Sequence, residues 1–112
     1  MGYQPERGDI IWLNFNPQAG HEQSGHRPAL VISPLKYNQR SSMALVCPIT
    51  SKNKHRPFHV QIQESDKISG FVISDHICSI DWQARKAKFI CKANTEVINE
   101  VVAKIATLLP HD

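Results

Sequence analysis

Apolar residues along this chain fall mostly into short runs with strand-like alternation, and only near the C-terminus does the period lengthen to that of a helix. The runs are "DIIWLNF" from Asp9, "PALVIS" from Pro28, "MALVCPI" from Met43, "FHVQI" from Phe58, "GFVISD" from Gly70 and "AKFIC" from Ala87. All are rich in β-branched and aromatic side chains, which fit a pleated, half-buried surface. Between them lie "NPQAG", "YNQRSS", "SKNKHRP" and "ESDKISG", whose Gly, Pro, Asn and Ser favour turns. Strands spaced this closely, with no helices between them, predict a small antiparallel sheet curled into a barrel to hide its edges. On the first strand Trp12 alternates with Ile10 and Asn14 and is expected to be buried. Val97, Ile98, Val101, Val102, Ile105, Leu108 and Leu109 then recur at helical spacing, opposite Glu96, Asn99, Glu100 and Lys104. That stripe predicts a C-terminal helix lying on the barrel, capped by Asn94 or Thr95 and ended before Pro110. The fold class is mainly β (α+β).

Composition narrows the class without changing the fold. The 112 residues are 41% hydrophobic and 21% charged, which suits one core and a single domain over 1–112. No run approaches the ~18 apolar residues of a membrane span, and "MGYQPERGD" lacks the apolar core of a secretory signal, so a cytoplasmic protein with no membrane partner is expected. Its three cysteines, Cys47, Cys78 and Cys91, form no CxxC pair and sit in apolar segments, as reduced thiols acting as small hydrophobes do. None of the six histidines stands in an HExxH motif, so no metal and no other cofactor is expected. A net charge of +3 favours an anionic partner, and the basic loop "SKNKHR", Ser51 to Arg56, concentrates it.

The chemistry is densest in "AGHEQSGHRPALVIS", Ala19 to Ser33, where histidines, Glu22, Gln23 and Arg27 crowd a loop before a strand. "GDIIWLNFNPQAGHEQSGHRPALVISP", "VCPITS" and "FVISDHICSIDWQARKA", taken in order, resemble the MazF/PemK/Kid family of type II toxin-antitoxin toxins across essentially the whole chain. The resemblance implies an SH3-like barrel with a C-terminal helix, a homodimer, and a ribosome-independent endoribonuclease that cuts single-stranded mRNA at short sequences. It also implies a cognate antitoxin, here expected to be acidic. A gyrase poison of the CcdB type shares the barrel but depends on a Trp-Gly-Ile type of ending, whereas this chain closes "LLPHD". A non-catalytic RNA-binding module is the other alternative.

RNA cleavage without a metal uses the substrate's own 2′-hydroxyl, so the protein must take a proton, steady a five-coordinate phosphorane and protonate the leaving 5′-oxygen. Arg27 suits the second task, because its guanidinium fork matches phosphate oxygens and Pro28 holds its backbone extended. Thr50, closing the strand "PIT", offers a hydroxyl donor. Glu22 is favoured as the proton-moving helper, since Arg27 stays protonated and makes a poor base. Expected RNA contacts are His21, Gln23, His26, Asp75 and His76, with Ser51, Lys52 and Lys54 gripping the backbone. Tyr37, Phe58 and Trp82 are further candidates for base stacking. Some relatives use a loop His with an Arg and an Asp near the fifth strand; His21 and Asp75 match that scheme, but Ile73 stands where the Arg would be.

Overall fold

The computed structural model describes residues 2–14, 26–65 and 67–110, with side chains throughout except at 63–65. In chain order these form β1 (Asp9–Asn14), β2 (His26–Val31), α1 (Leu35–Ser41), β3 (Met43–Thr50), β4 (His59–Ser65) and β5 (Ile68–Ile73). A 3-10 turn (Ser74–His76), β6 (Cys78–Asp81), β7 (Lys88–Lys92) and α2 (Thr95–Ala106) complete the described chain. Every pairing is antiparallel. The seven-stranded sheet runs β4-β5-β3-β2-β1-β7, with β6 also on β3, and curls as a half-barrel.

Alternation along the strands builds two apolar layers. Ile10, Leu30, Cys47, Ile49, Val60 and Val72 face one way, and Val97, Ile98, Val101 and Ile105 of α2 pack on that side. The intervening residues Ile11, Leu13, Ala29, Val31 and Val46 face the other way, against Ile80 and Trp82. A one-residue slip of register would exchange the two layers, so a sheet buried on both faces is strongly specified.

Four expectations need correction. "YNQRSS" is not a loop, because α1 forms there around Asn38. This fully buried side chain donates to the carbonyls of Pro5 (2.9 Å) and Ser33 (3.0 Å), and accepts from Ser33 Oγ. Tertiary hydrogen bonds thus override weak helix propensity. Second, β6 has one buried apolar residue, Ile80, and exists by pairing with β3 from Met43↔Asp81 to Val46↔Cys78. Third, the helical stripe reaches the core only through its first part. After Ala106 the N–H groups of Thr107, Leu108 and Leu109 bond to carbonyls three residues back, and the tightened turn leaves Leu108 and Leu109 exposed. Val102, inside α2, is also exposed. Fourth, Trp12 is half-buried at the rim of the first layer. The cap is Asn94, whose side chain accepts from the N–H of Glu96 at 2.8 Å.

The N-terminal arm is fixed by the buried Asp9. Its carboxylate accepts from the Tyr3 hydroxyl, from the Glu6 N–H (3.0 Å) and from Lys92 Nζ (2.5 Å), the last tying the arm to β7. A buried carboxylate needs this number of donors to offset its lost hydration.

Candidate active site

Register decides which side chains meet. Thr50 lies opposite Phe71, Gln61 is also opposite Phe71, and His59 is opposite Ile73. Residues directly across a sheet share a face, so Thr50, Phe71, Ile73 and His59 project together, away from the core side of Ile49, Val60 and Val72. On the other flank of β3 the pairing begins at Ala29↔Pro48. Carried two residues further along each strand, that register sets Arg27, half-buried, level with Thr50. The sequence reasons are plain: Arg27 and Thr50 each end an apolar run that anchors its strand.

Beside Thr50 opens a cleft of about 260 Å³, lined by Thr50, Lys54, Arg56, His59, Ile73, Asp75 and His76. Thr50 Oγ1 accepts from the Lys52 N–H at 3.2 Å, which turns the chain into the loop and leaves the hydroxyl proton to be donated elsewhere. Asn53 Oδ1 accepts from the His55 N–H at 2.9 Å, and His55 adopts a positive φ of 52°, so the loop folds back and carries Lys54 and Arg56 to the cleft. The 3-10 turn supplies Asp75 and His76, fastened by the Ser74 N–H to the Phe58 carbonyl at 3.0 Å. Gly70 keeps the neighbouring strands close: its φ is +136°, and a Cβ there would meet the Thr50 carbonyl oxygen at 2.4 Å. Beneath the turn, burial pushes the Cys47 thiol up to about 12, with Cys78 and Asp75 adding to the effect. This thiol is kept as a core side chain rather than a nucleophile.

A hydroxyl, a guanidinium and a basic cleft on one sheet face suit a phosphodiester. The family of PemK-like, MazF-like toxins of type II toxin-antitoxin systems matches residues 6–109. The chain belongs to this family. It is 39% identical over 107 residues to the endoribonuclease toxin MazF of Escherichia coli (strain K12), covering 96% of each chain. It is 38% identical to the endoribonuclease toxin ChpB of the same strain, covering 93% of each. Crystal structures of MazF and of MazE-MazF from Deinococcus radiodurans superpose with TM-scores of 0.85 and 0.88. Both are 45% identical, and each superposition covers 96% of this chain.

Within this MazF-like chain, the structure gathers Thr50, Lys54, Asp75 and His76 around the cleft and sets Arg27 level with Thr50. It does not bring His26 there. His26 is one position before Arg27, so it faces the opposite side of β2, where its ring lies 6.3 Å from that of Trp12. Ser51 and Lys52 are exposed on the loop but do not line the cleft. His21, Glu22 and Gln23 lie outside the described residues. Among the stacking candidates, Trp82 is buried with Nε1–H on the Asn38 carbonyl (3.1 Å), Phe58 is half-buried, and Tyr37 is exposed on α1 beside Lys36 and Arg40. Two lining residues were missed, His59 and Ile73. The signal for His59 was present in "FHVQI", where Phe58, Val60 and Ile62 take one side and leave His59 and Gln61 on the other.

Proposed function

We propose that this chain is an endoribonuclease toxin of a type II toxin-antitoxin system that cuts single-stranded mRNA at specific short sequences and so stops translation. The observation that carries this reading is Thr50 beside a cleft bordered by Lys54 and Arg56, with Arg27 set level with it by continuing the β2–β3 register. The scissile phosphate sits between the guanidinium and the hydroxyl, whose donors hold its non-bridging oxygens as the phosphorane forms. Glu22 takes the proton from the 2′-hydroxyl, the 2′-oxygen bonds to phosphorus, the bond to the 5′-oxygen breaks, and that oxygen is protonated. The products are a 2′,3′-cyclic phosphate and a 5′-hydroxyl. Lys54, with Lys52 and Ser51 on the same loop and His21 and Gln23 from the β1–β2 segment, holds the RNA on either side of the cut, while Asp75 and His76 border the cleft floor.

Two copies acting as a homodimer, and an acidic antitoxin whose disordered tail lies in the basic groove and excludes RNA, complete the proposal. The complexes of MazE with MazF from Deinococcus radiodurans support an antitoxin partner. The deciding experiment incubates the pure protein with RNA and maps new 5′ ends. Cleavage is expected to persist in excess chelator and to vanish when the nucleotide before the cut is 2′-deoxy. Binding of RNA without new ends would reduce the protein to an RNA-binding module. Loss of cleavage with chelator, restored by one divalent ion, would overturn the metal-free scheme.

A further inference from the structure

His59 opens β4 and lines the cleft, yet its Nδ1 is buried with no hydrogen-bond partner among the described residues. Orphaned buried N–H groups are rarer than orphaned acceptors, so the ring is best accommodated with Nδ1 as a bare lone pair and an N–H at Nε2. The ring then offers the cleft a single N–H donor, held by a strand rather than a loop. Asp75, exposed on the 3-10 turn, offers the same cleft a carboxylate. A carboxylate repels a phosphate and accepts from an N–H, so the occupant of this end is not the RNA backbone. Lys54 and Arg56 have the charge for that backbone, and Ile73, directly across the ladder from His59, adds an apolar surface. At about 260 Å³ the cleft falls just under the ~300 Å³ at which pockets for drug-sized ligands begin, a scale that suits a small planar group rather than a stretch of chain.

We propose that the His59 and Asp75 end of the cleft receives one unstacked RNA base. His59 Nε2–H donates to an acceptor on the base edge, and Asp75 accepts from a donor beside it. His59 is therefore a specificity-determining residue. The inference rests on the endoribonuclease reading above and adds the position at which sequence is read. Single-stranded RNA is recognised in this way, by splaying a base and bonding its edge.

The test measures kcat/KM on oligoribonucleotides carrying each of the four bases at each position flanking the cut, with wild type, His59→Leu, His59→Gln and Asp75→Asn. Wild type should discriminate by roughly tenfold or more at one position, as a two-point edge contact does. His59→Leu, which keeps the bulk but not the donor, should flatten that preference and leave the other positions ranked as before. His59→Gln, with an amide nitrogen near the place of Nε2, should keep part of it. Asp75→Asn should change which base is preferred, because an amide both accepts and donates; being exposed, this site carries the test if His59→Leu does not fold. An unchanged base ranking in His59→Leu or in Asp75→Asn, or no preference in wild type, would overturn the inference. A wild-type protein that cuts no RNA would instead remove the nuclease reading, so the two failures are distinct.

Discussion

Asn38 joins three segments that are far apart in sequence. Its amide nitrogen reaches the Pro5 and Ser33 carbonyls, and its own carbonyl accepts from Trp82 Nε1. Asn38→Ala would keep the backbone bond from Trp82 but leave the Pro5 and Ser33 carbonyls and the Ser33 hydroxyl without their side-chain partner inside the core, and buried groups left without partners cost about 1–3 kcal/mol each. A loss of about 2–3 kcal/mol is expected, read as a lower urea midpoint, with α1 and the N-terminal arm loosened first. Arg27 and Thr50 should behave in the opposite way. Neither belongs to an apolar layer, so Arg27→Ala and Thr50→Ala should melt near wild type yet cut RNA roughly 100-fold more slowly, the scale of losing one preorganised donor. Arg27→Lys should not rescue, because an ammonium lacks the two-pronged geometry. A near wild-type rate in either alanine variant, measured by single-turnover cleavage, would withdraw that residue from the mechanism. Glu22→Gln is expected to slow cleavage less than either.

At the scale of elements, Gly70 links strand packing to the site. Any side chain at its positive φ is strained, and the Cβ of Gly70→Ala would press on the Thr50 carbonyl at the β3–β5 pairing. Stability should fall by more than about 1 kcal/mol and cleavage should fall with it, whereas a change that only weakened the sheet would leave the rate of the folded fraction intact. Comparing thermal midpoints with rates corrected for folded fraction separates the two. Elements with their own period were legible: β1, β2, β3, β4, β5, β7 and the capped start of α2 follow from alternation and from Asn94. Elements made by their partners were not. In α1 the sequence "LKYNQRS" carries turn-forming residues, and its helix depends on bonds from Asn38 to the remote Pro5. In β6 one Ile among four residues gives no pattern until β3 is beside it. The site divides similarly. Arg27, Thr50 and Asp75 stand in motifs read along the chain and alternation in "FHVQI" turns His59 away from the core, while the meeting of His59 with Ile73 is made by the β4–β5 register, which no local pattern reveals.

For the whole molecule, four shifted groups, Tyr3, Cys47, Cys78 and Lys92, act in the same direction with pH, Cys78 being raised by burial alone. Burial raises the Cys47 thiol to about 12 from an ordinary value of 9.0. Burial, then the hydrogen bond to Asp9, also raises the Tyr3 hydroxyl. At Lys92 burial lowers the value, but the hydrogen bond and charge of Asp9, with Glu6, raise it on balance. Below pH 9 the Cys47 thiol holds its proton in both the folded and the unfolded chain, so its contribution is constant. Above that the unfolded chain releases it first, and stability should fall steadily until about pH 12. Denaturant titrations between pH 8 and 11 should give a shallower decline in Cys47→Ala than in wild type, with a residual slope from Tyr3, Cys78 and Lys92; parallel slopes would exclude the Cys47 thiol as a source. The strand bearing Cys47 has a wider consequence. β3 pairs with β6 over Met43–Val46, with β2 over 46–48 and with β5 at Ile49 and Thr50, whereas residues 51–58 before β4 lie in no strand. A substitution in that loop upsets no ladder, while every position of β3 belongs to at least one. In the proposed scheme the loop residues Lys52, Lys54 and Arg56 are thus free to vary at no cost to the sheet, while the position of the Thr50 hydroxyl is set by the strand that carries it.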